Sequence, residues 1–334
     1  VIDGPRLARM GDAELHLALD ASELLFARVS AAQKLRLVQG LRRKGEVVAV
    51  TGDGVNDAPA LRQADIGIAM GRSGTDVARA AADLILADDN FASIVAAVRE
   101  GRAVYDNIRK FLTYILTSNV PEIVPYLAFV LLGVPLALTV PQILAVDLGT
   151  DILPALALGA EPAERGIMDR PPRPRAQRLL DGRLLARAYG FLGPLQAAVA
   201  MAAWYGVLRA GGWQWGQTLA ADAPLYRQAT GACLAAIVVL QVVNVFVCRS
   251  ARQSIVRSGF GGNRLLWWGI GLELALLAGF LYTPPGRALL GTAALPGWLW
   301  LSLPPLALAF LLAEEVRRAV ARTLLVSGNR AGRR

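Results

Sequence analysis

The stretch Glu46-Val47-Val48-Ala49-Val50-Thr51-Gly52-Asp53-Gly54-Val55-Asn56-Asp57-Ala58-Pro59-Ala60-Leu61 runs from an apolar, β-branched segment through a glycine-rich acidic loop into a helix start. β-Branched residues suit a pleated surface, and glycine lets the backbone turn where a side chain would obstruct it. The pattern predicts a strand over 46–50, a loop over 51–57 and a helix over 58–63. A second strand is expected over 66–70 and an amphipathic helix over 31–44. Such alternation implies a parallel sheet covered by helices, with ligands at the carboxyl ends of the strands. Asp53 and Asp57 fall at such an end. Paired acids on a tight loop suit Mg²⁺, which takes one or two carboxylates and completes its shell with water and phosphate. For Gly52-Asp53-Gly54 alone, a turn with solvated acids fits equally well.

Beyond this soluble α/β portion, residues 1–110, the chain changes character. It has 334 residues, 54% of them hydrophobic. From Phe111 onward apolar runs recur at the length of about 20 residues that a helix needs to cross a bilayer. Six are expected, at about 111–132, 140–160, 184–208, 230–248, 265–283 and 297–314, followed by a tail over 315–334. The fold class is therefore a partial α/β domain with a parallel sheet, followed by an all-α six-helix membrane domain.

A net charge of +9 would suit nucleic acid if the bases shared one soluble face, but they cluster beside the spans. The connection 161–183 carries Arg165, Arg170, Arg173, Arg175, Arg178 and Arg183. The next but one carries Arg249, Arg252 and Arg257, and the tail Arg317, Arg318 and Arg322. The alternate connections are poor in bases, with Arg209, Arg227 and Arg287 alone. By the positive-inside rule, the arginine-rich segments and both chain ends are expected in the cytoplasm, with membrane lipid as a partner and nucleic acid excluded. No apolar leader segment opens the chain, and it starts without Met, so it is expected to continue a longer protein. Cys233 and Cys248 form no ligand pattern and read as packing residues, and a lone histidine, His16, excludes histidine triads and His-rich metal sites.

Three carboxylates interrupt the first two apolar runs: Glu122, Asp147 and Asp151. Unpaired at helix centres they would cost roughly 8 to 10 kcal/mol together, so cations, protons or water must compensate them. Helical spacing puts Ser118, Asn119 and Glu122 on one face and Asp147, Thr150 and Asp151 on another. Pro121, Pro125 and Pro154 are expected to break both helices and release backbone carbonyls. The result is an oxygen-only donor set, suited to hard cations rather than copper or zinc. A polar network that only joins helices is the alternative.

The string from Thr51 to Leu61 resembles the hinge motif of the P-type cation-transporting ATPases, whose phosphorylation domain has a haloacid dehalogenase-like fold. The resemblance implies that Asp53 binds Mg²⁺, that Asn56 and Asp57 organise the metal and a phosphorylated aspartate, and that Lys34 pairs with the transferred phosphoryl group of ATP. Residues 106–173 look most like the sodium/potassium and proton/potassium branch, with the calcium branch next. Asp147 and Ser118 favour the sodium/potassium pattern. Gln241, Asn244 and Glu273 match further transported-cation positions, although Asn244 lacks the acid expected there. The Asp-Lys-Thr-Gly-Thr string of the family's nucleophile is absent, as is its nucleotide-binding domain. The chain by itself is thus expected to form no aspartyl-phosphate and to need the N-terminal part of the same pump. A truncated or split-gene product, or a magnesium phosphatase-like domain regulating a channel, are the rival readings.

Overall fold

Ile68, Ala69 and Met70 point alternately to two packed layers, the period of two that defines a strand. Ile68 and Met70 meet Leu86 on one face, while Ala69 meets Leu61, Ala78 and Ala81 on the other. The strand is covered on both faces, which is why its sequence is continuously apolar. It is the middle member, β4 (Ile66–Met70), of a parallel sheet ordered β3-β4-β5, with β3 at Ala49–Gly52 and β5 at Leu84–Leu86. A separate parallel pair joins β1 (Ile2–Asp3) to β2 (Phe26–Ala27). These strands and their helices form a compact unit, Val1–Val98. This computed structural model describes residues 1–21, 23–250, 254–255 and 259–331, with side chains omitted at 322 and 324–331. Arg252, Arg257 and the Arg322 side chain, part of the basic pattern, lie outside the described residues.

The strand expected over 46–50 begins later. The Val48 carbonyl accepts from the Asp65 and Ile66 N–H groups (2.9 and 3.2 Å), but the Val48 N–H donates to the Asp65 side chain, Oδ2 (2.9 Å), so the regular ladder does not extend before Ala49. The ladder starts at Ala49 opposite Ile66. The helix Ala31–Arg43 is started by a reciprocal cap: Gln33 N–H donates to Ser30 Oγ (3.3 Å), and Ser30 N–H donates to Gln33 Oε1 (2.8 Å). That cap fixes Lys34 in the first turn.

The second unit, Arg99–Arg334, contains helices long and apolar enough to cross a membrane, six in all among the described residues. They lie in Ala92–Leu132, Val140–Gly159, Gly182–Ala210, Pro224–Cys248, Arg264–Tyr282 and Gly297–Ala321. The fourth is the axis of the bundle: residues Ala229–Val238 are all buried, consistent with a segment apolar on every side. Cys233 and Cys248 are free thiols within this core.

The first span is not broken, contrary to expectation. Ala92–Leu132 is one 41-residue helix with Pro121 and Pro125 inside it. Membrane helices tolerate proline when neighbours satisfy the released groups. Here the Thr113 and Thr117 hydroxyls also donate to the Arg109 and Thr113 carbonyls (2.8 and 2.7 Å), binding side chains back onto the helix. The second span is interrupted as expected, by a wide turn over Val146–Thr150 that separates helices Val140–Ala145 and Ile152–Gly159. In it the Asp151 N–H reaches the Val146 carbonyl (3.0 Å), five residues back.

Candidate functional sites

In the first unit, the loop after β3 holds the acids. Asp57 lies in a single turn, Val55–Asp57, and folds back over Gly52, where a β-carbon would come within 2.5 Å of the Asp57 Cβ. Only glycine fits that approach. Asp57 Oδ2 accepts from the Asp53 and Gly54 N–H groups (3.3 and 3.2 Å), and Oδ1 accepts from Lys34 Nζ (2.6 Å). Burial raises the Asp57 pKa, but the Lys34 ammonium and the two loop N–H groups outweigh it, and the net shift is downward. Asp57 is therefore held as an ionised brace. Asp53 and Asn56 are exposed, and their side chains have no hydrogen-bond partner among the described residues. The Asp53 carboxylate, a hard oxygen donor at a strand's carboxyl end, fits a Mg²⁺ ligand better than the engaged Asp57.

In the second unit, Glu122, Asp147 and Asp151 each bring a carboxylate oxygen to within 4.8 Å of the other two. Glu122 and Asp151 are buried, and Asp147 is exposed. This triad has the spacing to coordinate a cation. At an effective dielectric of about 20, each pair of like charges at such a distance repels by about 3 kcal/mol, so three ionised acids need a counter-charge. Among the described residues no lysine or arginine pairs with any of them. Tyr114, also buried, donates to Asp151 Oδ1 (3.1 Å). Asn119 lines a cleft of about 240 Å³ together with Asp147 and Asp151, which gives the triad an opening. Ser118 is buried on the same helix. The Thr150 hydroxyl donates to the Val146 carbonyl (3.1 Å), which leaves the lone pairs of its oxygen for any further ligand.

A close helix approach positions the second span. A β-carbon on Gly269 would stand 3.1 Å from the Pro154 nitrogen, so the fifth span lies against the helix that follows the wide turn. That span carries Glu273, 1% exposed, with no partner for either carboxylate oxygen among the described residues. Gln241 is equally buried and unpartnered, while Asn244 accepts from the Cys248 thiol (3.5 Å) through Oδ1 and leaves its amide nitrogen unpartnered. Gln196 on the third span, which sequence reasoning missed, shares this condition. Buried polar groups without partners cost about 1–3 kcal/mol each, so these point to hydration or cation binding.

Arg249 and Arg318, read from sequence as topological signals, are also buried structural groups. Arg249 donates to Glu161 Oε1 (2.9 Å) and to the Gly259 and Gly261 carbonyls, and Asn263 joins through Glu161 Oε1 (3.1 Å). Arg187 and Arg318 both donate to Glu314 Oε1 (2.8 and 3.0 Å) and to the Val247 carbonyl, tying three spans together.

Residues 135–320 match the family described as cation transporting ATPase, C-terminus, and residues 29–98 match haloacid dehalogenase-like hydrolase. The chain is 41% identical over 327 residues to the sodium/potassium-transporting ATPase subunit alpha-1 of Anguilla anguilla, covering 90% of this chain and 32% of that protein. It is 40% identical over 348 residues to subunit alpha-2 of Rattus norvegicus, covering 96% of this chain and 34% of that protein. The chain thus spans about a third of the length of these curated relatives. With its long apolar helices, it is a multi-pass integral membrane protein.

Proposed function

Because the chain belongs to the P-type cation-transporting ATPases, we propose that it supplies the cation-binding membrane part and the magnesium loop of an ATP-driven pump for hard monovalent cations. The carrying observation is the Glu122, Asp147 and Asp151 cluster, three carboxylates within coordinating distance of one another that need a cation or protons to compensate them. Asp147 and the alpha-subunit relatives favour sodium or potassium over calcium. Asn119 and Ser118 contribute neutral oxygens. Thr150, Gln241, Asn244 and Glu273 extend the polar path, with Glu273 as its one acid.

In the first unit, Asp53 is the Mg²⁺ ligand of this reading, and the ion supplies charge neutralisation for phosphate oxygens. Lys34 turns from Asp57 toward a phosphoryl group, Asp57 keeps the loop closed over Gly52, and Asn56 faces the same end of β3. ATP and the phosphorylated aspartate belong to the complete pump. The unbroken helix Ala92–Leu132 carries Asn119 and Glu122, so force on its first turns is transmitted to the cation cluster. The basic connections favour a topology with both chain ends on the cytoplasmic side, and the plasma, or inner, membrane is the location of this reading.

Equilibrium dialysis of the purified chain in detergent against labelled Na⁺, Rb⁺ and Ca²⁺, with unlabelled K⁺ and Mg²⁺ as competitors, tests the membrane site. Saturable monovalent binding is expected, and Glu122→Gln or Asp151→Asn should weaken it by at least about tenfold, since each removes a buried ligand charge. Binding unaffected by both substitutions would remove the site, and preference for Ca²⁺ would reassign the cargo.

A further inference from the structure

The arginine-poor connections, 209–229 and 284–296, contain four charged residues: Arg209, Asp222, Arg227 and Arg287. The last three line one cleft of about 370 Å³, together with Thr292. Arg227 sits in the first turn of the fourth span's helix, and Arg287 in the short helix Pro284–Leu290 that follows the fifth span. The walls are tied together. Gln228 Nε2 donates to the Ala294 carbonyl (2.8 Å), and the Thr292 hydroxyl donates to the Phe280 carbonyl (2.6 Å).

The charges in this cleft do not satisfy one another. Among the described residues, neither arginine forms an ion pair with Asp222. Arg227 Nε is buried without a hydrogen-bond partner. Arg287 spends its Nε on the Leu281 carbonyl (2.6 Å), which leaves both terminal nitrogens to serve another group. A buried guanidinium donor without an acceptor is costly, and planar forks of this kind match phosphate oxygens.

We propose that this cleft binds the headgroup of a zwitterionic phospholipid bearing a primary ammonium, with Arg227 and Arg287 on the phosphate and Asp222 on the ammonium. Two cations and one anion complement a phosphodiester carrying an amine, whereas a simple anion would leave Asp222 repelling it. The setting is the bilayer interface. Arg227 and Arg287 stand where apolar spans begin and end, and at the same level the Trp300 indole donates to the Tyr282 hydroxyl (2.7 Å). Aromatic residues of this kind mark headgroup depth. Leu289, beside the lining residue Ala288, is 69% exposed and offers an apolar surface to an acyl chain.

Native mass spectrometry of the delipidated full chain, titrated with phosphatidylethanolamine, phosphatidylcholine, phosphatidylglycerol or inorganic phosphate, tests this. One phosphatidylethanolamine per chain is expected to outlast the other lipids, because phosphatidylcholine has no N–H for Asp222 and phosphatidylglycerol no ammonium. Replacing both Arg227→Gln and Arg287→Gln should weaken it by at least about tenfold, the loss expected for charge-assisted hydrogen bonds. Asp222→Asn should abolish the preference for phosphatidylethanolamine over phosphatidylglycerol. This exposed position decides the matter alone if the double arginine variant does not fold. Equal retention of phosphatidylglycerol by the unaltered chain, wild-type retention in the variants, or displacement by inorganic phosphate would each overturn the assignment. Cation dialysis on the same samples reads the triad separately.

Discussion

The Tyr114 hydroxyl donates to Asp151 Oδ1 across 3.1 Å, joining two spans through groups that are both buried. A hydrogen bond to a buried carboxylate stabilises its ionised form, the form that binds a cation. Asp151 therefore depends on a residue that carries no charge and does not belong to the acidic cluster.

Tyr114→Phe should keep the packing of the ring and lose only the hydroxyl. Loss of a hydrogen bond to a charged group is worth about 1.5–3 kcal/mol, so monovalent cation affinity should fall by about tenfold or more. Equilibrium dialysis reads the affinity, and circular dichroism checks that helix content is unchanged. Undiminished affinity would show that the bond only joins helices.

Arg249→Gln should leave Glu161 buried without its main partner. Breaking a buried ion pair from one side costs about 3–5 kcal/mol, whereas an exposed arginine such as Arg165 should tolerate the same change within about 0.5 kcal/mol. Adding Glu161→Gln to Arg249→Gln should recover part of the loss. Unfolding of the chain in mixed micelles, arranged as a double-mutant cycle, measures all three.

The Lys34 to Asp57 pair sets an acid limit on the loop after β3. The folded Asp57 carboxyl lies below its ordinary value of 3.8, so its stabilising contribution is complete above that pH and is lost as pH falls through the folded value. Protection against hydrogen exchange over residues 52–58, taken relative to the intrinsic rate at each pH, should fall below about pH 4, the unfolded carboxyl value, and Asp57→Asn should be poorly protected with no such step. A step that persists in Asp57→Asn would assign it elsewhere.

Local periodicity carried much of the fold. The period of two in Ile66–Met70, the glycines around Asp53 and six apolar runs are written in neighbouring residues, where covalent geometry alone sets the pattern. The position of Glu122, Asp147 and Asp151 inside apolar runs marked them as functional for the same reason. Where the reading failed, a neighbour distant in sequence had intervened. Pro121 and Pro125 did not break the first span: both are buried inside one continuous helix, which local propensity alone would end.

What the amino-acid order determined by itself is that a phosphate-type α/β loop precedes membrane helices bearing acids, since both follow from residue type and spacing. Which groups meet was decided by tertiary structure alone. Tyr114 reaches Asp151 across 37 positions, Arg249 reaches Glu161 across 88, and Lys34 reaches Asp57 across 23. Such contacts depend on how helices pack, through close approaches like that of Gly269 to Pro154, and packing is a property of surfaces brought together and not of any one segment.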